Sequence, residues 1–168
     1  QLFISGIMDY DYVAGLPYGG EAIATEFLNL LADGKAREAK FDKIGQGSDR
    51  RIVNFKIIVP PLVCSTWKSV LLIDDVLSSG KSLLEAAAAV EKAGFRVTAI
   101  ATAVDREQGG REVLRKHDYG RIVSVFTISE LLAFGVLTSR ISISQFYEVM
   151  NYLETTREDL LKENQLAC

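Results

Sequence analysis

A chain of 168 residues, 48% apolar and 24% charged, is long enough for one domain with a proper core and too short for two of ordinary size. A net charge of −3 without a basic cluster gives no support for a nucleic-acid surface, and no apolar run approaches a membrane span. Two cysteines, Cys64 and Cys168, make neither a disulfide framework nor a metal site and point to a reducing compartment, so the chain reads as cytoplasmic.

The sequence opens on Gln1 rather than Met and runs at once into an apolar segment, which reads as a fragment or a mature piece. Leu2 to Ile7 reads as the end of a helix turned at Gly6. Tyr12-Val13-Ala14-Gly15 is short and apolar and meets Leu16-Pro17-Tyr18-Gly19-Gly20, a strand entering a tight loop. Glu21 to Leu31 then carries Ala22, Ile23, Phe27, Leu30 and Leu31 at helical spacing. Asp33 to Asn54 is polar and interrupted by Gly, and holds six basic residues (Lys35, Arg37, Lys40, Lys43, Arg50 and Arg51). Without aliphatic periodicity it reads as a mobile cationic loop; its alternative is a solvated insertion with no role. Ile57 to Val63 is apolar but broken by Pro60-Pro61, so it is at best an edge strand.

Val70-Leu71-Leu72-Ile73 reads as a strand buried on both faces. Asp74 and Asp75 follow, then Val76, Leu77 and a small-residue loop, Ser78-Ser79-Gly80-Lys81-Ser82, that opens the alanine-rich helix Leu83 to Lys92. The first N–H groups of a helix lack intrahelical partners, and the helix dipole favours an anion there. Phosphate repels carboxylate, so a plain phosphate cradle would not place two Asp residues just before it. A ribose 5-phosphate unit, with hydroxyls at one end and phosphate at the other, would use both features. A solvated turn whose acids cap the next helix is the other reading, and these residues alone leave both open.

Gly94 ends that helix, and Arg96 to Val104 forms the next buried strand. Asp105-Arg106-Glu107-Gln108-Gly109-Gly110 lies at its carboxyl end, where ligands bind in open α/β sheets. Arg111 to Lys116 reads as a short helix with His117 exposed at its end, Ile122 to Phe126 as a strand, and Ser129 to Phe134 as a helix ended by Gly135. Ser142 to Leu161 is helical, with Phe146, Val149, Met150 and Leu153 on one face. No repeat or linker divides the chain, so residues 1–168 read as a single α/β domain.

Val70 to Ser82, taken whole, resembles the 5-phosphoribosyl 1-pyrophosphate (PRPP) motif of the type I phosphoribosyltransferases. Leu16-Pro17-Tyr18 together with Asp105 to Gly110 resembles the orotate phosphoribosyltransferases, above all the form fused to orotidylate decarboxylase; the likeness covers Gln1 to Lys35 and Ser69 to about Leu153. It implies the type I fold, a mostly parallel twisted sheet flanked by helices, with the family's N-terminal hood over orotate largely absent. Asp74 and Asp75 would bond the ribose hydroxyls, Ser78, Ser79, Gly80, Lys81 and Ser82 would hold the 5-phosphate, and Pro17, Tyr18 and Gly19 would meet the pyrophosphate. Ser78 and Arg106 would face orotate.

The family's mobile loop reads Arg-Lys-Glu-x-Lys, and Ala36-Arg37-Glu38-Ala39-Lys40 is its nearest match here, with Ala36 and Arg37 in place of Arg and Lys. Lys40, Arg37 and Asp75 are the catalytic residues this implies. The resemblance further implies Mg2+ carried on PRPP without direct protein ligands, a homodimer, and a possible decarboxylase fusion. A transferase for another base, and a non-catalytic PRPP-binding regulator of the same fold, are the competing readings.

Overall fold

A computed structural model describes residues 10–31, 36–44, 51–58 and 68–166. Its elements run β1 (Tyr12–Gly15), α1 (Gly19–Leu30), β2 (Arg37–Ile44), β3 (Arg51–Ile57), β4 (Ser69–Leu77), α2 (Lys81–Lys92), β5 (Arg96–Asp105), α3 (Gly110–Lys116), β6 (Ile122–Thr127), α4 (Ile128–Leu137) and α5 (Ile143–Leu166). Six strands form one sheet in the order β3-β2-β1-β4-β5-β6. All neighbours are parallel except β2 and β3. Helices cover both faces, as a parallel sheet requires.

The apolar pattern explains the layering. Alternate residues of a strand point to opposite faces. Val13, Leu71, Ile73, Ala99 and Ala101 therefore share one face, under Ala24 of α1 with Phe27 and Leu28 beside it. Tyr12, Ala14, Val70, Leu72 and Ile100 share the other, under Leu83, Ala86, Ala87 and Val90 of α2. The small residues of α2 let its backbone lie close to the sheet. An aromatic row extends that second layer: Phe95 meets Tyr12 and Phe55 edge-on at centroid distances of 5.4 and 5.2 Å, and Phe55 meets Phe41 at 5.5 Å.

A polar clasp fixes the register of the central pair. The Asp11 N–H donates to both Oγ and the carbonyl of Ser69, at 2.9 and 3.0 Å. In return the Ser69 N–H and hydroxyl each donate to Asp11 Oδ2 at 2.9 Å. From there Tyr12 faces Val70 and Gly15 faces Ile73.

The segment 33–54, expected as a mobile loop without a strand, contains β2 and the first residues of β3, an antiparallel hairpin with an irregularity between Asp42 and Lys43. Ala39 and Phe41 are buried while Glu38, Lys40 and Asp42 stand on the other side. Two inward apolar residues are too few to show as a pattern among charges; the backbone bonds to β1 supply the rest. Residues 45–50 lie outside the described residues, as do Leu2 to Ile7, Pro60-Pro61 and both cysteines. β3 (Arg51–Ile57) is an edge strand; of the edge strand expected over Ile57 to Val63, residues 59–63 lie outside the described residues.

Gly135 does not end α4. The helix runs to Leu137 and closes with a Schellman motif: the Arg140 N–H reaches the Gly135 carbonyl, the Ser139 N–H reaches that of Val136, each at 2.9 Å, and Ser139 is left-handed at φ 55°. Gly135 makes room for Ile141, whose Cγ1 would lie 3.1 Å from a Cβ there. At the other end Thr127 and Glu130 form a capping box. His117 caps α3 and is exposed, as read from the sequence. Among the described residues no helix is long and apolar enough to cross a membrane.

Tyr12 is 1% exposed and its hydroxyl has no hydrogen-bond partner among the described residues. Burial, aided by Asp11 and opposed by Arg37, pushes its pKa up and keeps it neutral. An unpaired buried hydroxyl costs about 1–3 kcal/mol, so Tyr12→Phe is expected to leave the melting temperature unchanged or raise it. Thermal unfolding of the two proteins checks this; a clear fall would mean the hydroxyl is bonded.

Candidate active site

The strand order reverses between β1 and β4, one leading outward to β2 and the other to β5. Their carboxyl ends therefore leave a crevice, the usual ligand position in open α/β sheets. The loop after β1 is tied to β4 by the Leu16 N–H, which donates to the Ile73 carbonyl at 2.7 Å, and it turns back through the Glu21 N–H to the Leu16 carbonyl at 3.0 Å. Tyr18 makes that turn at φ 99°, a strained value for a residue with a side chain, and is 64% exposed. α1 starts immediately, at Gly19.

β4 continues through Leu77, so both acids stand on the strand rather than in the loop after it. Asp75 lies against Gly19 so closely that any Cβ there would overlap its carboxylate, and a Cβ on Gly20 would come within 3.1 Å of the Asp74 Cα. Two glycines thus let the start of α1 meet the acid pair. The dipole of α1 favours the Asp75 carboxylate there. Asp74 is half-buried and its Oδ1 accepts the Asp75 N–H at 2.9 Å, whereas Asp75 is exposed to the crevice.

Beyond Leu77, Gly80 takes a left-handed φ of 79° and caps α2, with the Lys81 N–H 3.4 Å from Ser79 Oγ. A cleft of about 40 Å³ opens here, lined by Asp74, Ser78, Ser79, Gly80, Lys81 and Ser82 among others. Free N–H groups of the first turn, three hydroxyls and a lysine suit a small anion. Gly110, the first residue of α3, packs beneath this loop: a Cβ on it would sit 2.8 Å from the Gly80 nitrogen. The Arg106 N–H donates to the Leu77 carbonyl at 2.8 Å, which puts exposed Arg106 beside Ser78.

Pro17, Tyr18, Gly19, Asp74, Asp75, Ser78 to Ser82 and Arg106 are thereby brought to one rim. The β2 residues divide. Ala39 pairs with Ala14, so exposed Lys40 is level with the end of β1, on the face that carries α1, and forms an ion pair with Glu38 at 3.6 Å. Arg37 pairs with Tyr12, at the amino end of the sheet, and its odd spacing from Lys40 puts it on the opposite face. The expected pairing of Arg37 with Lys40 at one site is not what the structure shows.

Sequence reasoning also missed what supports the Arg106 loop. Asp105 is 3% exposed and is bound by Arg111, with Arg111 Nε 2.9 Å from Asp105 Oδ2. A lone Asp at a strand end gave no signal of a buried partner six positions on.

The phosphoribosyl transferase domain family matches residues 5–134. An orotate phosphoribosyltransferase of Sulfurisphaera tokodaii is 30% identical over 147 residues, covering 87% of this chain and 69% of that protein. The chain spans only 27% and 54% of two further curated relatives. Among solved structures, UMP synthase of Leishmania donovani shares the fold at a TM-score of 0.73 and 23% identity, over 92% of this chain and 31% of that one. Mycobacterium tuberculosis orotate phosphoribosyltransferase, solved with PRPP, aligns at a TM-score of 0.56 and 25% identity, over 77% of this chain and 69% of that one. With the acid pair, the glycine-bordered crevice and the anion cleft in one place, the chain belongs to the phosphoribosyl transferase family, and within it to the orotate phosphoribosyltransferases.

Proposed function

We propose that this chain transfers the phosphoribosyl group of PRPP to a ring nitrogen of orotate, giving orotidine 5'-monophosphate and pyrophosphate in pyrimidine synthesis. The observation that carries the reading is the crevice where Asp74 and Asp75 stand between the start of α1 and the start of α2. Family membership supplies the reaction; this arrangement supplies places for its parts.

In the reading, Ser78, Ser79, Gly80, Lys81 and Ser82 take the 5-phosphate at the α2 N-terminus. Asp74 and Asp75 accept from the ribose hydroxyls, and Pro17, Tyr18 and Gly19 meet the pyrophosphate. Arg106 and Ser78 face orotate, an anion that needs a cationic or hydroxyl partner. The bond from the anomeric carbon to pyrophosphate breaks as the bond to the orotate nitrogen forms, and that nitrogen's proton leaves to solvent. Charge becomes cation-like on the sugar and accumulates on the leaving group, so positioning and charge stabilisation do the catalysis without a protein nucleophile. Lys40, level with the crevice, is the cation assigned to the departing pyrophosphate. Arg37 is left out of this assignment because of its place at the far end of β2.

Mg2+ is proposed to enter with PRPP. The carboxylates of Asp74 and Asp75 suit an ion that keeps its waters and rides on substrate oxygens. When bound, it would neutralise pyrophosphate. One domain over 1–168, a homodimer, a cytoplasmic site and a decarboxylase fused in a longer form complete the proposal. The fusion is supported by a bifunctional curated relative, 34% identical, of which this chain spans 27%, and the homodimer by the family resemblance.

Orotate-dependent release of pyrophosphate from PRPP and magnesium tests the whole reading. Turnover is expected; PRPP-induced thermal stabilisation with no turnover would favour a non-catalytic regulator, and turnover only with another base would reassign the substrate. Asp75→Asn is expected to weaken PRPP binding roughly tenfold or more, the size of a lost charge-assisted bond, without lowering the melting temperature. An unchanged dissociation constant by calorimetry would remove the pair from the site. Lys40→Ala is expected to lower kcat far more than it weakens PRPP binding, since its partner develops charge only in the transition state. Equal losses in kcat and affinity would place Lys40 in ground-state binding instead.

A further inference from the structure

Asp105 closes β5 and is nearly sealed from solvent at 3% exposure. Its two carboxylate oxygens have separate tasks. Oδ1 accepts the Glu107 N–H at 2.8 Å, an Asx-type turn with Arg106 at its apex. Oδ2 receives both Nε and Nη2 of Arg111, each at 2.9 Å. The guanidinium is itself held: Nη1 donates to the Ile122 carbonyl at 2.9 Å and Nη2 to Ser124 Oγ at 3.1 Å. Ser124 in turn shares a 2.8 Å hydrogen bond with buried Thr102.

Asp105 is buried while the Arg111 side chain keeps 26% of its surface in solvent, and an ion pair with one desolvated charge is a poor device for stability alone, because stripping water from the carboxylate offsets much of the attraction. What such a pair does well is select one arrangement. Here the arrangement is that of the loop between the two partners. Arg106 is fastened to the Leu77 carbonyl just before the anion loop. Glu107 is held left-handed at φ 56°, with its Oε2 accepting the Ser129 N–H at 3.0 Å. Gly110 lies under Ser78 and Gly80 with no room for a side chain.

We propose that Asp105 and Arg111 are positioning residues for the nucleobase side of the site: together they fix the turn that holds Arg106 beside Ser78. This rests on the functional reading above. Neither residue touches substrate. Arg111 aims the Asp105 carboxylate, and the carboxylate aims the turn.

The test compares wild type with Arg111→Met, Arg111→Lys, Arg106→Ala and the Arg106→Ala/Arg111→Met double variant in the full chain. Orotate KM, kcat, the PRPP dissociation constant and the melting temperature are read for each. Arg111→Met should raise the orotate KM about tenfold or more while PRPP affinity stays within about threefold, since misplacement of a contact group is what is lost. Arg111→Lys, which keeps the charge and loses the planar fork, should fall between the two. Once Arg106 is gone, Arg111 should have nothing left to position, so the double variant should be no worse in orotate KM than Arg106→Ala.

An unchanged orotate KM in Arg111→Met, penalties that multiply in the double variant, or losses confined to PRPP affinity and melting temperature would each overturn the inference. If Arg111→Met does not fold, Arg111→Lys decides on the same criteria. A wild type that never turns over orotate would overturn the functional reading instead. Amide exchange then decides this inference alone: faster exchange confined to residues 105–110 in Arg111→Met supports it, and no local change refutes it.

Discussion

The pairing of β1 with β4 is the constraint on which the site depends. Neither strand binds anything by itself, yet their parallel alignment, from Tyr12 against Val70 to Gly15 against Ile73, delivers two loops and two helix starts to the same crevice. A slip of one residue would turn Asp75 to the other face and bury it under α2. The Asp11–Ser69 clasp at the opposite end of the pair guards against that slip. Register and chemistry are thus set by different ends of the same two strands.

At the crevice, opposite electrostatic demands are met within a few residues. The N-terminal ends of α1 and α2 favour negative charge, and β4 supplies two carboxylates directly between them. Only glycine at positions 19 and 20 allows the backbone of α1 so near that pair. The result sets the carboxylate pair directly beside the cleft at the start of α2, with Asp74 lining both. A sugar phosphate has the same division of polarity along its length.

The sequence was most informative where burial is two-sided. Val70 to Ile73 and Val97 to Val104 sit in the middle of the sheet, so continuous aliphatic runs marked them as strands whatever their partners. The hairpin β2–β3 was invisible for the converse reason. It lies at the edge, buries little beyond Ala39, Phe41 and Phe55, and carries Glu38, Lys40, Asp42 and Lys56 outward, a composition that reads as loop. The site followed the same division. Asp74, Asp75 and the Ser78–Ser82 loop form one contiguous stretch, legible as a unit, and Arg106 lies in a second. Asp105 with Arg111 is different: its meaning comes from Ile122 and Ser124 across a strand pairing, which no local pattern records. Gly135 misled because glycine serves both as a helix stop and as a clearance for a neighbour, here Ile141.

The long span between the clasped residues has a consequence for how the molecule comes together. β4, α2, β5, α3 and β6 follow one another in the chain and pair in that same order, so their contacts close short loops. Asp11 and Ser69 stand 58 positions apart. Closing that distance costs more chain entropy than joining β4 to β5, and contacts of this kind form late. The anion cleft therefore belongs to the early-forming half of the protein, and the acid pair gains its glycine-lined wall only when β1 inserts between β2 and β4. Competence to bind a sugar diphosphate would then arrive with the final long-range docking, making ligand binding a report on completed folding rather than on partly assembled intermediates.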